Sequence, residues 1–337
     1  MSTTTSSIHR RQWLRRAGAT SLAITGWAPH RAIGATPVPR ERPNLLYALS
    51  TGTWGRVTPP GQPLPLLKIL DETAAAGFNG VRLTGFPAIL TANEISEDRL
   101  GEELARRGLK FSTVSFGGNY ADTTQHNEIL ANLRRTLSLH QRYGATAAVF
   151  FPPGVAPPAD QVRVLSECCR LFNVMGRVAR EEFGIRLGLH NHTDSLVETQ
   201  AQVDQFLDAT DPRFVDCAWD SAHLLLGGCN VQETYRKSID RLVYTDFKDA
   251  TRSPSAADYV SPNGEKFAGD SPSGRFFNSI FELGRGEIDF VALARLLKAH
   301  QYRGWVNHDL DTVRVSCTES LRIAMDYIHT QLDPVYS

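Results

Sequence analysis

Leu187-Gly-Leu-His190-Asn191-His192-Thr193-Asp194 opens apolar and turns polar at His190. The same change recurs three times downstream, in Cys217-Ala-Trp-Asp220-Ser-Ala-His223, Val243-Tyr-Thr-Asp246-Phe-Lys248-Asp249 and Trp305-Val-Asn-His308-Asp309-Leu-Asp311. A short apolar run that becomes polar at its end suits a buried strand whose C-terminal tip meets solvent or ligand. These four strands are predicted over Ile185–His190, Phe214–Asp220, Leu242–Phe247 and Trp305–Asp309. Four more β-rich runs precede them, at Leu45–Trp54, Gly80–Thr84, Lys110–Ser115 and Ala147–Phe151.

Between the runs lie stretches with the 3.6-residue periodicity of helices, such as Pro65–Ala76, Asn127–Tyr143, Ala159–Phe183 and Phe290–His300. Gly77, Gly108, Gly144, Gly184 and Gly304 stand where helices would stop before the next strand. Strand then helix, repeated eight times, predicts a single-domain (β/α)8 TIM barrel over residues 45–331. A doubly wound sheet fits less well. Thr51-Gly52-Thr53-Trp54-Gly55 follows the first strand without the G-x-G-x-x-G phosphate-loop spacing. The connection after the seventh strand is long, and residues 250–288 read as a lid-like loop.

Of 337 residues, 42% are hydrophobic, enough for a substantial core. No apolar stretch is long enough to span a bilayer. Lys and Arg total 36, as do Asp and Glu. Five of the basic residues and none of the acidic ones fall in residues 1–35, so the remainder carries 31 against 36 and a formal charge of −5. That body is a poor partner for nucleic acid. His9-Arg10-Arg11-Gln12-Trp13-Leu14-Arg15, the weakly apolar run behind it and small residues near Ala35 read as a twin-arginine export signal over residues 1–35. Residues 36–44 would then be a linker, and the expected location is periplasmic or exported. The five Cys form no C-x-x-C pair, and buried thiols are expected.

On a barrel, the four polar tips converge on one mouth, and imidazoles beside carboxylates point to a divalent cation bound through mixed nitrogen and oxygen ligands. His190 and His192 alternate onto one face. Asp220 equally suits a helix N-cap. Lys248 between Asp246 and Asp249 equally suits a structural ion pair, and Asp309 with Asp311 equally suits a solvated strand end.

These motifs resemble the xylose isomerase-like TIM-barrel superfamily, in particular its inosose dehydratase-like branch. The resemblance rests on Leu189-His190-Asn191-His192-Thr193 with Val197-Glu198-Thr199, on Asp220-Ser-Ala-His223 with Gly227-Gly228, and on Asp246-Phe-Lys248-Asp249. It extends through Glu282-Leu-Gly284-Arg-Gly286-Glu-Ile-Asp289 and Gly304-Trp305 to Asp309-Leu-Asp311. It implies one divalent metal ion (Mn, Co, Zn, Fe or Mg) with ligands at His190, Asp220, Asp246 and Asp309. Asp246 stands where the family has His, and Asp309 where it has Glu. The implied chemistry is isomerase, epimerase or dehydratase (lyase) action on a keto-sugar or inosose, by proton abstraction next to its carbonyl. His192 and His223 are candidate bases, and Lys248 a candidate donor to a substrate oxygen. Trp54, Arg82, Phe86 and Asp249 are candidate substrate contacts. The partner expected is a small carbohydrate or cyclitol, with self-association of the chain. The rival reading is a non-catalytic exported sugar-binding protein on a degenerate barrel.

Overall fold

The computed structural model describes residues 45–336. The expected export signal and linker lie outside them. Among the described residues, eight strands form the barrel: β1 (Leu46–Ser50), β2 (Gly80–Leu83), β3 (Lys110–Phe116), β4 (Ala147–Phe150), β5 (Arg186–Leu189), β6 (Val215–Asp220), β7 (Leu242–Phe247) and β8 (Trp305–His308). All neighbours are parallel, and β1 pairs with both β2 and β8, which closes the barrel. β1 is shorter than expected, because Ser50 accepts the Gly52 amide and turns Thr51–Trp54 into a 3-10 helix.

Helices stop where a left-handed residue lets the chain reverse. Gly77 and Gly184 do this with φ of 96° and 68°. Gly304 does not: the helix Phe290–Ala299 is followed by Gln301 in the left-handed region, and Gly304 instead makes room for the Tyr302 ring.

The two-residue period of a strand sorts the barrel interior into layers. Ala218, Tyr244 and Trp305 lie one step below Asp220, Asp246 and Asn307 on the same faces. The Tyr244 and Ser112 hydroxyls bond across this lower layer at 3.1 Å. Gly80 is needed here, because a Cβ would stand 2.7 Å from the Trp305 indole. The strands' outer faces pack against the helices through fully buried Phe172, Phe206, Trp219 and Leu297. Each such side chain contributes about 1.5–3 kcal/mol through removal from water. The polar upper layer stands above this layer of Ala218, Tyr244 and Trp305. All five cysteines are buried free thiols.

The long connection after β7 is folded. Asp249–Ala250 pairs with Ile280–Phe281, Tyr259–Val260 pairs with Lys266–Phe267, and Pro272–Ser279 is a helix capped by Ser271. It crosses to the segment after β1, where Arg56 pairs with Glu265 at 2.7 Å and Asn263 donates to the Thr58 carbonyl. Among the described residues, no helix is long and apolar enough to cross a membrane.

Candidate active site

Asp246, at the end of β7, is saturated. Arg82 Nη1 reaches its two oxygens at 2.9 and 2.8 Å, Asn307 Nδ2 donates at 2.5 Å, and His190 Nδ1 donates at 2.8 Å. Arg82 Nε is fixed on Ser115 at 3.0 Å. All these groups except the partly exposed Ser115 are buried. Burial raises the Asp246 carboxyl to about 6 against the opposing pull of Arg82. Burial, with help from Arg82, pushes the His190 imidazolium down to about 3, so the ring is neutral. Because its Nδ1–H faces Asp246, Nε2 is left as a bare acceptor. A carboxylate fixing a histidine in this way is the usual support for a metal-binding imidazole.

Asp220, in register with Asp246 across β6 and β7, is built the opposite way. Its Oδ1 caps the short helix Ser221–Leu226 by accepting the Ala222 and His223 amides at 2.9 and 3.0 Å. Its Oδ2 is buried without a hydrogen-bond donor. Lys248 Nζ approaches Oδ2 at 3.0 Å, a charge contact outside hydrogen-bond geometry. Burial raises the Asp220 carboxyl. The cap brings His223 back over the mouth. Donor atoms of His190, Asp220 and His223 all lie within 4.8 Å of one another.

His223 is held well below the usual imidazole range by burial and by His192 and Lys248. Its Nδ1 is 3.2 Å from both the amide and the hydroxyl of Thr193, and its Nε2 is 3.3 Å from Lys248 Nζ. The Thr193 amide donates to Nδ1. Phe276 of the long connection stacks on the His223 ring at 5.3 Å, and Phe151 meets the His190 ring edge-on at 5.2 Å. His192 lies 3.9 Å from His223 ring to ring and is only partly buried. Its Nδ1 donates to the Thr193 carbonyl at 2.6 Å, so Nε2 is its basic nitrogen.

Lys248 is buried among acids, with Nζ 2.9 Å from Asp309 and 2.6 Å from Asp311 as well as 3.0 Å from Asp220. These carboxylates outweigh burial and hold its ammonium well above the ordinary lysine range. Asp309 is driven below the carboxylate range because Lys248 and Arg82 overcome its burial.

The mouth therefore gathers His190, His192, Asp220, His223, Asp246, Lys248 and Asp309, together with Arg82. Several of the expected site residues make other contacts. Both oxygens of Asp246 are met by donors, from Arg82, Asn307 and His190. Asp309 lies beside Lys248 and Arg82 and outside the His–Asp–His cluster. Arg82 is locked on Asp246 and Ser115. Lys248 pairs with Asp220, Asp309 and Asp311 and not with Asp249. Asp249 instead accepts four amides, from Ala250, Gly284, Gly286 and Ile288, and ties down the return of the long connection. Trp54 is buried in the core with its indole N–H on Glu72, and Phe86 packs on the apolar cluster around β2. Asn307 and Phe276 went unnoticed in the sequence. The two-residue step back from Asp309 was the signal for Asn307.

The family model described as xylose isomerase-like TIM barrel matches residues 70–328. The chain belongs to that family. An inosose dehydratase of Salmonella agona is 30% identical over 252 residues, 71% of this chain and 79% of its own. Another, from Bacillus velezensis, is 25% identical over 315 residues, covering 86% of this chain and 98% of its own. Among solved structures, the IolI protein with a bound zinc atom superposes with a TM-score of 0.62 at 18% identity, over 87% of this chain and all of its own.

Proposed function

We propose that this chain is a carbohydrate or cyclitol dehydratase that removes a proton from the carbon next to a ketone, with a divalent cation held by His190, Asp220 and His223. The observation that carries the reading is Asp220 Oδ2, a buried carboxylate oxygen without a hydrogen-bond donor between two neutral imidazoles at the barrel mouth. An oxygen held only by the charge of Lys248 at 3.0 Å, with no aligned donor, keeps lone pairs open to a cation. The inosose dehydratase relatives support a carbohydrate-acting enzyme and favour loss of water over epimerisation. The zinc atom of the IolI protein supports a cation in the same fold.

A divalent cation at this position supplies Lewis acidity to a carbonyl oxygen when bound. The chain's own groups do the rest. His192 Nε2, basic and open to the mouth, takes the proton from carbon. Lys248 donates a hydrogen bond to the oxygen that gains charge, and the proton taken by His192 is returned to the departing hydroxyl, which leaves as water. Asp246, Asn307 and Arg82 keep His190 in the tautomer that exposes Nε2. Phe151 and Phe276 wall the site with apolar surface and limit water. Export by the twin-arginine route belongs to the same proposal and places the substrate outside the cytoplasm.

Elemental analysis tests the ligand assignment. His190→Ala and Asp220→Ala are expected to lose divalent metal while staying folded. Unchanged metal content in both would overturn it.

A further inference from the structure

Asp220 Oδ2 and His223 Nε2 are 4.0 Å apart. A zinc-like ion bonds oxygen and nitrogen at roughly 2.0–2.2 Å, so an ion shared by these two atoms must sit close to their midpoint. Lys248 Nζ is 3.0 Å from the first atom and 3.3 Å from the second. Triangle geometry on the separations of 4.0, 3.0 and 3.3 Å places that midpoint about 2.4 Å from Nζ. An ammonium has no lone pair to offer a cation and repels it, so the two cannot share the space.

The surrounding charges give the ammonium somewhere to go. The ion-pair network at the mouth contains four carboxylates (Asp220, Asp246, Asp309 and Asp311) and two permanent cations, Arg82 and Lys248. The excess of two negative charges matches one divalent ion. Asp309 and Asp311 already hold Nζ at 2.9 and 2.6 Å. The lysine can therefore leave Asp220 and keep two counter-ions.

We propose that Lys248 is a built-in competitor for the cation site: its ammonium takes the ion's place between Asp220 and His223, and metal binds only as Nζ withdraws onto Asp309 and Asp311. The proposal rests on the reading of His190, Asp220 and His223 as a cation site. It gives Asp309 and Asp311 a purpose other than ligation, as the berth of the displaced lysine. The chain then binds metal more weakly than its ligands alone would dictate.

The test is a calorimetric titration of the full chain with Co²⁺, comparing the unaltered protein with Lys248→Met. The expected result is a gain in cobalt affinity of tenfold or more in the variant. Equal or weaker binding would overturn the competition and leave the ligand assignment standing. Absence of binding in both proteins would overturn the ligand assignment itself, and the competition with it. Should Lys248→Met fail to fold, Lys248→Gln keeps a polar side chain without the charge and carries the same expectation. Crystals of the unaltered chain soaked in Co²⁺ give a second reading. Cobalt located by anomalous scattering should lie between Asp220 and His223, with Nζ beyond hydrogen-bonding distance of Asp220 Oδ2. Cobalt bound there with Nζ still against that oxygen would overturn the proposal.

Discussion

Asp246 and Asp220 stand side by side at the ends of adjacent strands, equally buried, yet one is satisfied and the other is not. Asp246 meets a guanidinium, an amide and an imidazole. Asp220 spends one oxygen on a helix cap and leaves the other without a hydrogen bond. The contrast separates framework from chemistry. A carboxylate with every lone pair occupied positions its neighbours, while one with an oxygen in reserve can take a ligand.

Removing the support on the saturated side should cost the most. Arg82→Met leaves Asp246 as an uncompensated buried charge, with an expected loss of about 3–5 kcal/mol in chemical unfolding. Asp220→Asn should behave in the opposite way. Asparagine still caps the helix Ser221–Leu226. Folding stability should hold while divalent metal content falls to background by elemental analysis. A variant as unstable as Arg82→Met would erase the contrast between the two carboxylates.

His192→Asn should lower turnover by about 10²–10⁴-fold, the usual worth of a general base, with metal content unchanged. Loss of metal in this variant would move His192 into the ligand set. Away from the mouth, Asp249→Ala removes the acceptor of four loop amides and should cost about 1–3 kcal/mol in stability.

A further effect is a pH slope. His140 is buried, bonded to Thr113 and the Thr136 carbonyl, and burial lowers its pKa to about 4. It is neutral when folded, whereas the unfolded chain takes up a proton below about 6.5. Its share of stability is therefore complete above pH 6.5 and is lost as pH falls toward 4, by up to about 1.4 kcal/mol per pH unit. His140→Gln should flatten unfolding free energy against pH in that window. An unchanged slope would show that other groups set the acid sensitivity.

The barrel was legible in the sequence because its strands are short apolar runs between periodic helices. All eight appear where the runs stand. The folded core of the long connection was not, because Ser271-Pro-Ser-Gly signals a turn as strongly as the helix start it proves to be. Asp220 was readable as ligand or cap but not as both, since one residue letter does not say that two oxygens face different ways. The surroundings of Asp246 were hidden for another reason. Its partner Arg82 lies 164 residues earlier, and no local pattern links them. The same holds for Lys248, whose neighbour Asp249 looked like its partner until the backbone turned that carboxylate toward the loop amides.

The most direct measurement is carbon-bound deuterium after incubation of the metal-loaded full chain with an inosose in D₂O. Deuterium should enter the position next to the ketone, in recovered substrate or dehydrated product, above the enzyme-free control, and the His192→Asn variant should lose this signal. No incorporation above control from inososes or 3-keto-glycosides would contradict proton abstraction at this mouth.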